Sequence, residues 1–177
     1  RHAVLVKDYL TALAAGETAL VVSPTHREGD EVTGQIRAAL KANGTLAVQD
    51  RTFWTLRNLY WTEAQKSDAI NYRPGLVVQF FQNATGIKNG ERLQVVGMDA
   101  AGVQAMSPEK HMVTVPLHQS DRFDVYEPYR LGLTAGDMIR ITQNGKSEDG
   151  CKLNNGALHQ VKAITDRGGI VLANGQK

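Results

Sequence analysis

One cysteine in 177 residues, Cys151, excludes an internal disulfide framework and a cysteine-based zinc site. No apolar run approaches the roughly 18 residues of a membrane span, and no basic-then-apolar leader opens the sequence. Charge of one sign is also missing. There are 20 Lys+Arg against 18 Asp+Glu, split 8 to 8 up to Tyr72 and 12 to 10 after it. A purely electrostatic nucleic-acid binder would be far more basic, so any such ligand must be held by geometry and stacking as well as charge. The catalytic signatures are absent as well: no phosphate loop of the form Gly-x-x-x-x-Gly-Lys, no His-Glu-x-x-His and no Gly-x-Ser-x-Gly. The five histidines are scattered; only His111 and His118 stand near enough to meet across strands, and as surface residues rather than metal ligands.

What is present divides into two kinds of sequence. The first 44 residues read helix–strand–helix. Val6, Tyr9, Leu10 and Leu13 form one helical stripe that Gly16 ends. Thr18–Ser23 (TALVVS) is a short apolar, β-branched run expected to be a strand buried on both faces. Thr25 with Glu28 three residues on is a capping box for a second helix with Val32, Ile36 and Leu40 on one face, stopped at Asn43-Gly44. Thr52–Asn58 alternates like a strand, and Thr62 with Gln65 starts a short helix. This segment, 1–72, is expected to be one domain: a partial α/β slice with a connecting region, incomplete because its strand lacks neighbours.

From Arg73 onward strands dominate, and one pattern occurs twice. Gly75 aligns with Gly136; Val77, Val78 and Phe80 with Met138, Ile139 and Ile141; Gln82-Asn83 with Gln143-Asn144; Asn89-Gly90 with Asn155-Gly156; Val95 with Val161. Asn-Gly is a strong turn signal because both residues tolerate positive φ. The expected architecture is therefore α+β, with small antiparallel β-barrel units filling 73–177 and an internal duplication over about 73–127 and 131–177. The linker between the copies contains a strand-like RFDVYE bounded by Pro128.

Candidate site residues follow from chemistry. Phe80 and Phe81 are adjacent in a strand, so one faces the core and the other is exposed or packed against the neighbouring domain; the candidate contact is Phe81. With Lys88, Arg92, Arg140 and Lys152 it mixes aromatic and basic character, as single-stranded DNA binding requires. Arg37 and Lys41, one helical turn apart, add a small basic stripe. Arg27 sits in SPTHRE where a strand gives way to a helix N-terminus, a place that suits phosphate; equally, Thr25 there merely caps the helix.

The ordered set SPTHREGDEVTGQIRAALKANGTL, WTEAQKSDAINYRPGLVVQFFQN and LGLTAGDMIRITQNG…LNNG resembles the helicase portion of MobF-type conjugative relaxase-helicases (the TraI/TrwC family) along nearly the whole chain. The resemblance implies a RecD-like helicase fragment: a stump of the RecA-like 2A domain, then a 2B and 2B-like insertion of Src-homology-3-like barrels. It implies single-stranded DNA handling, or an internal translocation signal read by a type IV secretion coupling protein or other secretion component, or both. The parent would be an ATP- and Mg-dependent helicase and DNA relaxase. The fragment itself lacks that machinery and is expected to be non-catalytic, cofactor-free, cytoplasmic and monomeric. Thr25-His26-Arg27 is similar to a Thr-Asn-Arg pattern near a helicase motif where the basic residue approaches ATP phosphate. Two alternatives stay open: a nucleotide-phosphate-binding part of an ATPase motor, and a plain protein-interaction barrel.

Overall fold

The computed structural model describes residues 2–177. The chain divides into two compact units, Arg1–Arg51 with Gly132–Lys177, and Thr52–Leu131. The division falls elsewhere than at the expected boundary after Tyr72: the helical N-terminal segment shares a unit with the second sequence repeat, and the first repeat forms the other unit.

The first unit begins with α1 (His2–Ala14) and α2 (His26–Ala42), which pack beside each other. Thr25 caps α2 as expected, its side chain accepting from the Glu28 N–H. Between the helices the expected strand does not form. Thr18–Ser23 forms no regular secondary structure and pairs with no strand among the described residues, and Leu20 and Val22 are 87% and 79% exposed. The physical reason is that a strand is defined by its neighbours, and this segment has none among the described residues.

The second unit holds a six-stranded sheet. β1 (Arg51–Asn58) leads to α3 (Glu63–Ser67), whose start is a full capping box between Thr62 and Gln65. Then follow β2 (Val77–Phe80), β3 (Arg92–Asp99), β4 (Gly102–Met106), β5 (Met112–Thr114) and β6 (Phe123–Leu133). The sheet order is β1-β6-β2-β3-β4-β5. Its core is Leu76, Val78, Phe80, Leu93, Val95, Val103, Phe123 and Val125, with the rings of Phe80 and Phe123 5.2 Å apart. Phe80 is fully buried and Phe81 is 45% exposed, so alternation divides the pair with Phe80 in the core. Lys66 of α3 is buried against this sheet, its Nζ donating to the Phe123 carbonyl at 2.7 Å.

The remaining strands, in the first unit, are β7 (Met138–Arg140), β8 (Gly145–Lys146), β9 (Lys152–Leu153), β10 (Leu158–Ile164) and β11 (Ile170–Leu172). β11-β10-β7 form a three-stranded sheet and β8-β9 a separate hairpin. The molecule is thus mixed α+β with mostly antiparallel sheets. Neither larger sheet closes into a barrel among the described residues.

The duplication in the sequence is a duplication of backbone. Val77, Val78 and Gln79 pair with Gln94, Leu93 and Arg92; Met138, Ile139 and Arg140 pair with Gln160, His159 and Leu158. Both long strands break register at the same place, between Val95 and Gly97 and between Val161 and Ala163. Gly75 and Gly136 have φ of +94° and +98° and donate to the Val95 and Val161 carbonyls, each at 2.8 Å. In the turn, Gly90 N bonds Phe80 O at 2.8 Å and Gly156 N bonds Ile141 O at 2.7 Å. The Asn83 side chain accepts from Asn89 N at 2.9 Å, and the Asn144 side chain from Asn155 N at 2.7 Å. The paired Asn residues of the motif therefore pin the loop between two strands. In the second copy the longer loop accommodates the β8–β9 hairpin.

Candidate functional site

The expected contact residues fall in both units. Arg140 in β7 and Lys152 in β9 are exposed in the first unit; Phe81, Lys88 and Arg92 are exposed in the second. Arg27 is exposed in the first turn of α2. Arg37 is the centre of an ion-pair network. Its Nε and Nη2 each donate to Asp137 at 2.8 Å, and Nη2 donates to Asp50 at 2.7 Å. Lys41 Nζ lies 2.8 Å from the other Asp50 oxygen. Asp137 is nearly buried and also accepts from Thr134 N at 2.7 Å. Hydrogen bonding to Asp137 holds the Arg37 guanidinium well above its usual pKa, outweighing the opposing effect of burial. Two carboxylates neutralise that cation, so little of its charge is left for phosphate.

Phe81 and Arg92 do belong to a richer surface, on the face of the second unit's sheet opposite its core. Alternation puts Gln79 and Phe81 on that face of the β2 segment, and Arg92 Nε donates to Gln79 Oε1 at 3.1 Å across the β2–β3 pair. On the other side Gln79 pairs with Asp124 of β6. Tyr126, two residues along, hydrogen-bonds Asn58 of β1; burial, then the charge of Asp124, pushes its pKa up. Asn58 Oδ1 also accepts from Tyr60 N at 2.6 Å, holding Tyr60 at φ +52°, a left-handed backbone rare for a bulky residue. The Tyr60 ring is exposed. Farther along the same two strands the Arg130 guanidinium lies 5.6 Å from the centre of the Trp54 ring, and Trp54 is 71% exposed. Arg57 lies 3.9 Å over the Tyr129 ring, but both alternate with Asn58 and Arg130 and so stand on the other side of the sheet.

This arrangement places exposed aromatic rings beside guanidinium groups across four strands, on rigid backbone. Such rings offer stacking platforms, and the arginines supply positive charge without burial; Trp54 already holds Arg130 beside its ring. It contains no paired general acid and base. Among the described residues no group of three or more His, Cys, Asp or Glu is placed to hold a metal, and no helix is long and apolar enough to cross a membrane.

Trp54, Arg57, Tyr60, Tyr126, Tyr129 and Arg130 did not figure among the sequence candidates. Their signal was present in TFWTLRNLY and VYEPYR, two runs in which aromatic and arginine residues interleave, but nothing local says that these runs lie side by side. Compared with known proteins, the chain matches no family model and no curated protein sequence.

Proposed function

We propose that this chain is a non-catalytic module that handles single-stranded DNA, in a MobF-type conjugative relaxase-helicase whose ATP- and Mg-dependent motor lies elsewhere in the parent. The observation that carries the reading is the aromatic–arginine face of the second unit, with Trp54 under Arg130 at one end and Phe81 and Arg92 at the other. A single strand laid across it stacks bases on Trp54, Tyr60 and Phe81 while phosphates meet Arg130 and Arg92. Duplex DNA cannot do this, because its bases already stack on each other. The two repeats act as Src-homology-3-like small barrels of a 2B and 2B-like pair, and α1–α2 with the unpaired apolar segment Thr18–Ser23 as the stump of domain 2A. Exposed Arg27 at the α2 N-terminus is placed to meet a nucleotide phosphate.

The test is fluorescence anisotropy with labelled oligothymidylate at low salt. Binding should be in the micromolar range and fall steeply as salt rises, since phosphate contacts release counterions. Trp54→Ala should weaken it by roughly 5- to 150-fold, the equivalent of about 1–3 kcal/mol for one stacked base. Arg37→Gln should change it little. No binding at tens of micromolar protein sinks the DNA reading.

A second reading, the internal translocation signal recognised by a secretion partner, is favoured by the far edge of the same sheet. Met106 and Met112 are both exposed and stand directly opposite each other on the β4–β5 pair. Methionine-rich surfaces suit protein partners because the side chain adapts its shape. Transfer of a reporter fused to this chain into recipient cells, lost when these methionines become serines, tests it.

A further inference from the structure

The two repeats differ at one edge. In the first, β2 is paired on both sides, with β3 and with β6; the β6 register sets Phe80 opposite Phe123, Gln79 opposite Asp124, and Val78 opposite Val125. In the second, β7 pairs with β10, and no strand takes its other side among the described residues. The Asp137 carbonyl and the Ile141 N–H bond to Val161 N and Ala157 O on the β10 side. In an antiparallel ladder that turns the N–H and C=O groups of Met138 and Arg140 outward.

The same absence is visible in the core. Val78 and Phe80 are fully buried, whereas Ile139 and Ile141, their counterparts, are only half-buried. On the opposite face Met138 is 60% exposed, and Arg140 stands where the first repeat has Gln79. The first repeat therefore displays the strand that the second lacks, and the side chains say how the two would differ. Two apolar residues, at the places of Phe123 and Val125, would cover Ile141 and Ile139. The residue between them would face Arg140, so a carboxylate is favoured there by charge, as Asp124 already stands opposite Gln79.

We propose that the open edge of β7 binds an extended segment of another protein by antiparallel strand addition, and that it selects an acidic residue between two large apolar ones. Main-chain bonds to Met138 and Arg140 supply affinity, and alternate side chains supply selectivity. Arg140 thereby becomes a peptide contact rather than a DNA contact. The inference is independent of the DNA reading, which uses the other unit.

The chain carries a suitable probe in its own β6. A synthetic peptide of sequence RFDVYEPY, residues 122–129, should bind the intact protein and slow amide exchange at Met138 and Arg140 while leaving Val77 and Gln79 unchanged. A peptide with Asp124→Lys should bind about tenfold more weakly, and protein Arg140→Glu should reverse that preference. Met138→Pro removes one outward donor without touching the β10 ladder and should abolish binding with the circular dichroism unchanged; if that variant fails to fold, the charge reversal decides alone. The proposal is overturned if the peptide does not bind at millimolar concentration, or if exchange slows at Val77–Phe80 instead. Protection of Met138 and Arg140 that grows with protein concentration and no peptide would show a second copy of this chain on the edge, and equally overturns it.

Discussion

In the first repeat Val78 and Phe80 are sealed between β3 and β6; in the second, Ile139 and Ile141 occupy the same rungs with a strand on one side only. Nearly everything local is shared: the positive-φ glycine, the bulge, the Asn-pinned loop and the Asn-Gly turn. What differs is how each frame is completed. The first closes its core with Phe123 and Val125. The second puts Asp137 where the first has the buried Leu76, and binds that carboxylate to Arg37 of α2. One repeat is stabilised by apolar burial from its own sheet, the other by an ion-pair network to a helix. Backbone motif and stabilising chemistry are separable, and the duplicated sequence fixes only the former.

The largest effect should come from testing this at equivalent core positions. Phe80→Ala should cost about 3–5 kcal/mol, since a fully buried ring leaves a cavity, whereas Ile141→Ala should cost about 1–2 kcal/mol because part of its surface already meets water. Denaturant unfolding followed by residue-resolved signals in each unit measures both; equal costs would erase the distinction. Next, Asp137→Ala should destabilise the first unit by about 2 kcal/mol, the usual range for losing hydrogen bonds to a charged partner when one group is nearly buried. Arg37 keeps Asp50 in that variant, which limits the damage. A smaller and symmetrical effect is expected at the loop pins. Asn83→Ala and Asn144→Ala each remove one bond to a backbone N–H and should each cost about 1 kcal/mol, with the two values close to each other.

Much of this frame was legible in the residues. Gly75 and Gly136, the two Asn-Gly turns and the paired Asn positions are local signals, because positive φ and turn chemistry are decided within a few residues. The helices, the Thr62–Gln65 box and the opposite facing of Phe80 and Phe81 follow from the same short-range rules. Three things were not legible, and all are long-range. Trp54 meets Arg130 only because β1 lies beside β6. Arg37 looked like half of a basic stripe because Asp137, one hundred positions away, gives no local sign of pairing with it. Thr18–Ser23 has the composition of a buried strand but no partner strand, and composition does not supply one.

The least drastic way to separate the two units is to titrate them. In the first, burial raises the Asp50 pKa, but hydrogen bonds and charge from Arg37 and Lys41 outweigh it and hold the carboxyl below the usual carboxylate range. A carboxyl depressed on folding stabilises above its unfolded pKa of about 4, and that contribution is lost as pH falls through the lower folded value. In the second unit, burial pushes the Tyr72 phenol up; its hydroxyl donates to the Lys66 carbonyl at 2.6 Å. A phenol raised on folding stabilises fully below its unfolded pKa of about 10, and the contribution disappears as pH climbs beyond that toward the folded value. Acid should therefore loosen the first unit before the second, and alkali the second before the first. Amide exchange at Val32 and Val161 for one, and Val78 and Leu93 for the other, reads each separately. Asp50→Asn should flatten the acid limb at the first pair alone, and Tyr72→Phe the alkaline limb at the second. If either substitution flattens both limbs, the two units do not respond through these groups, and the contrast between ionic and apolar closure has to be abandoned.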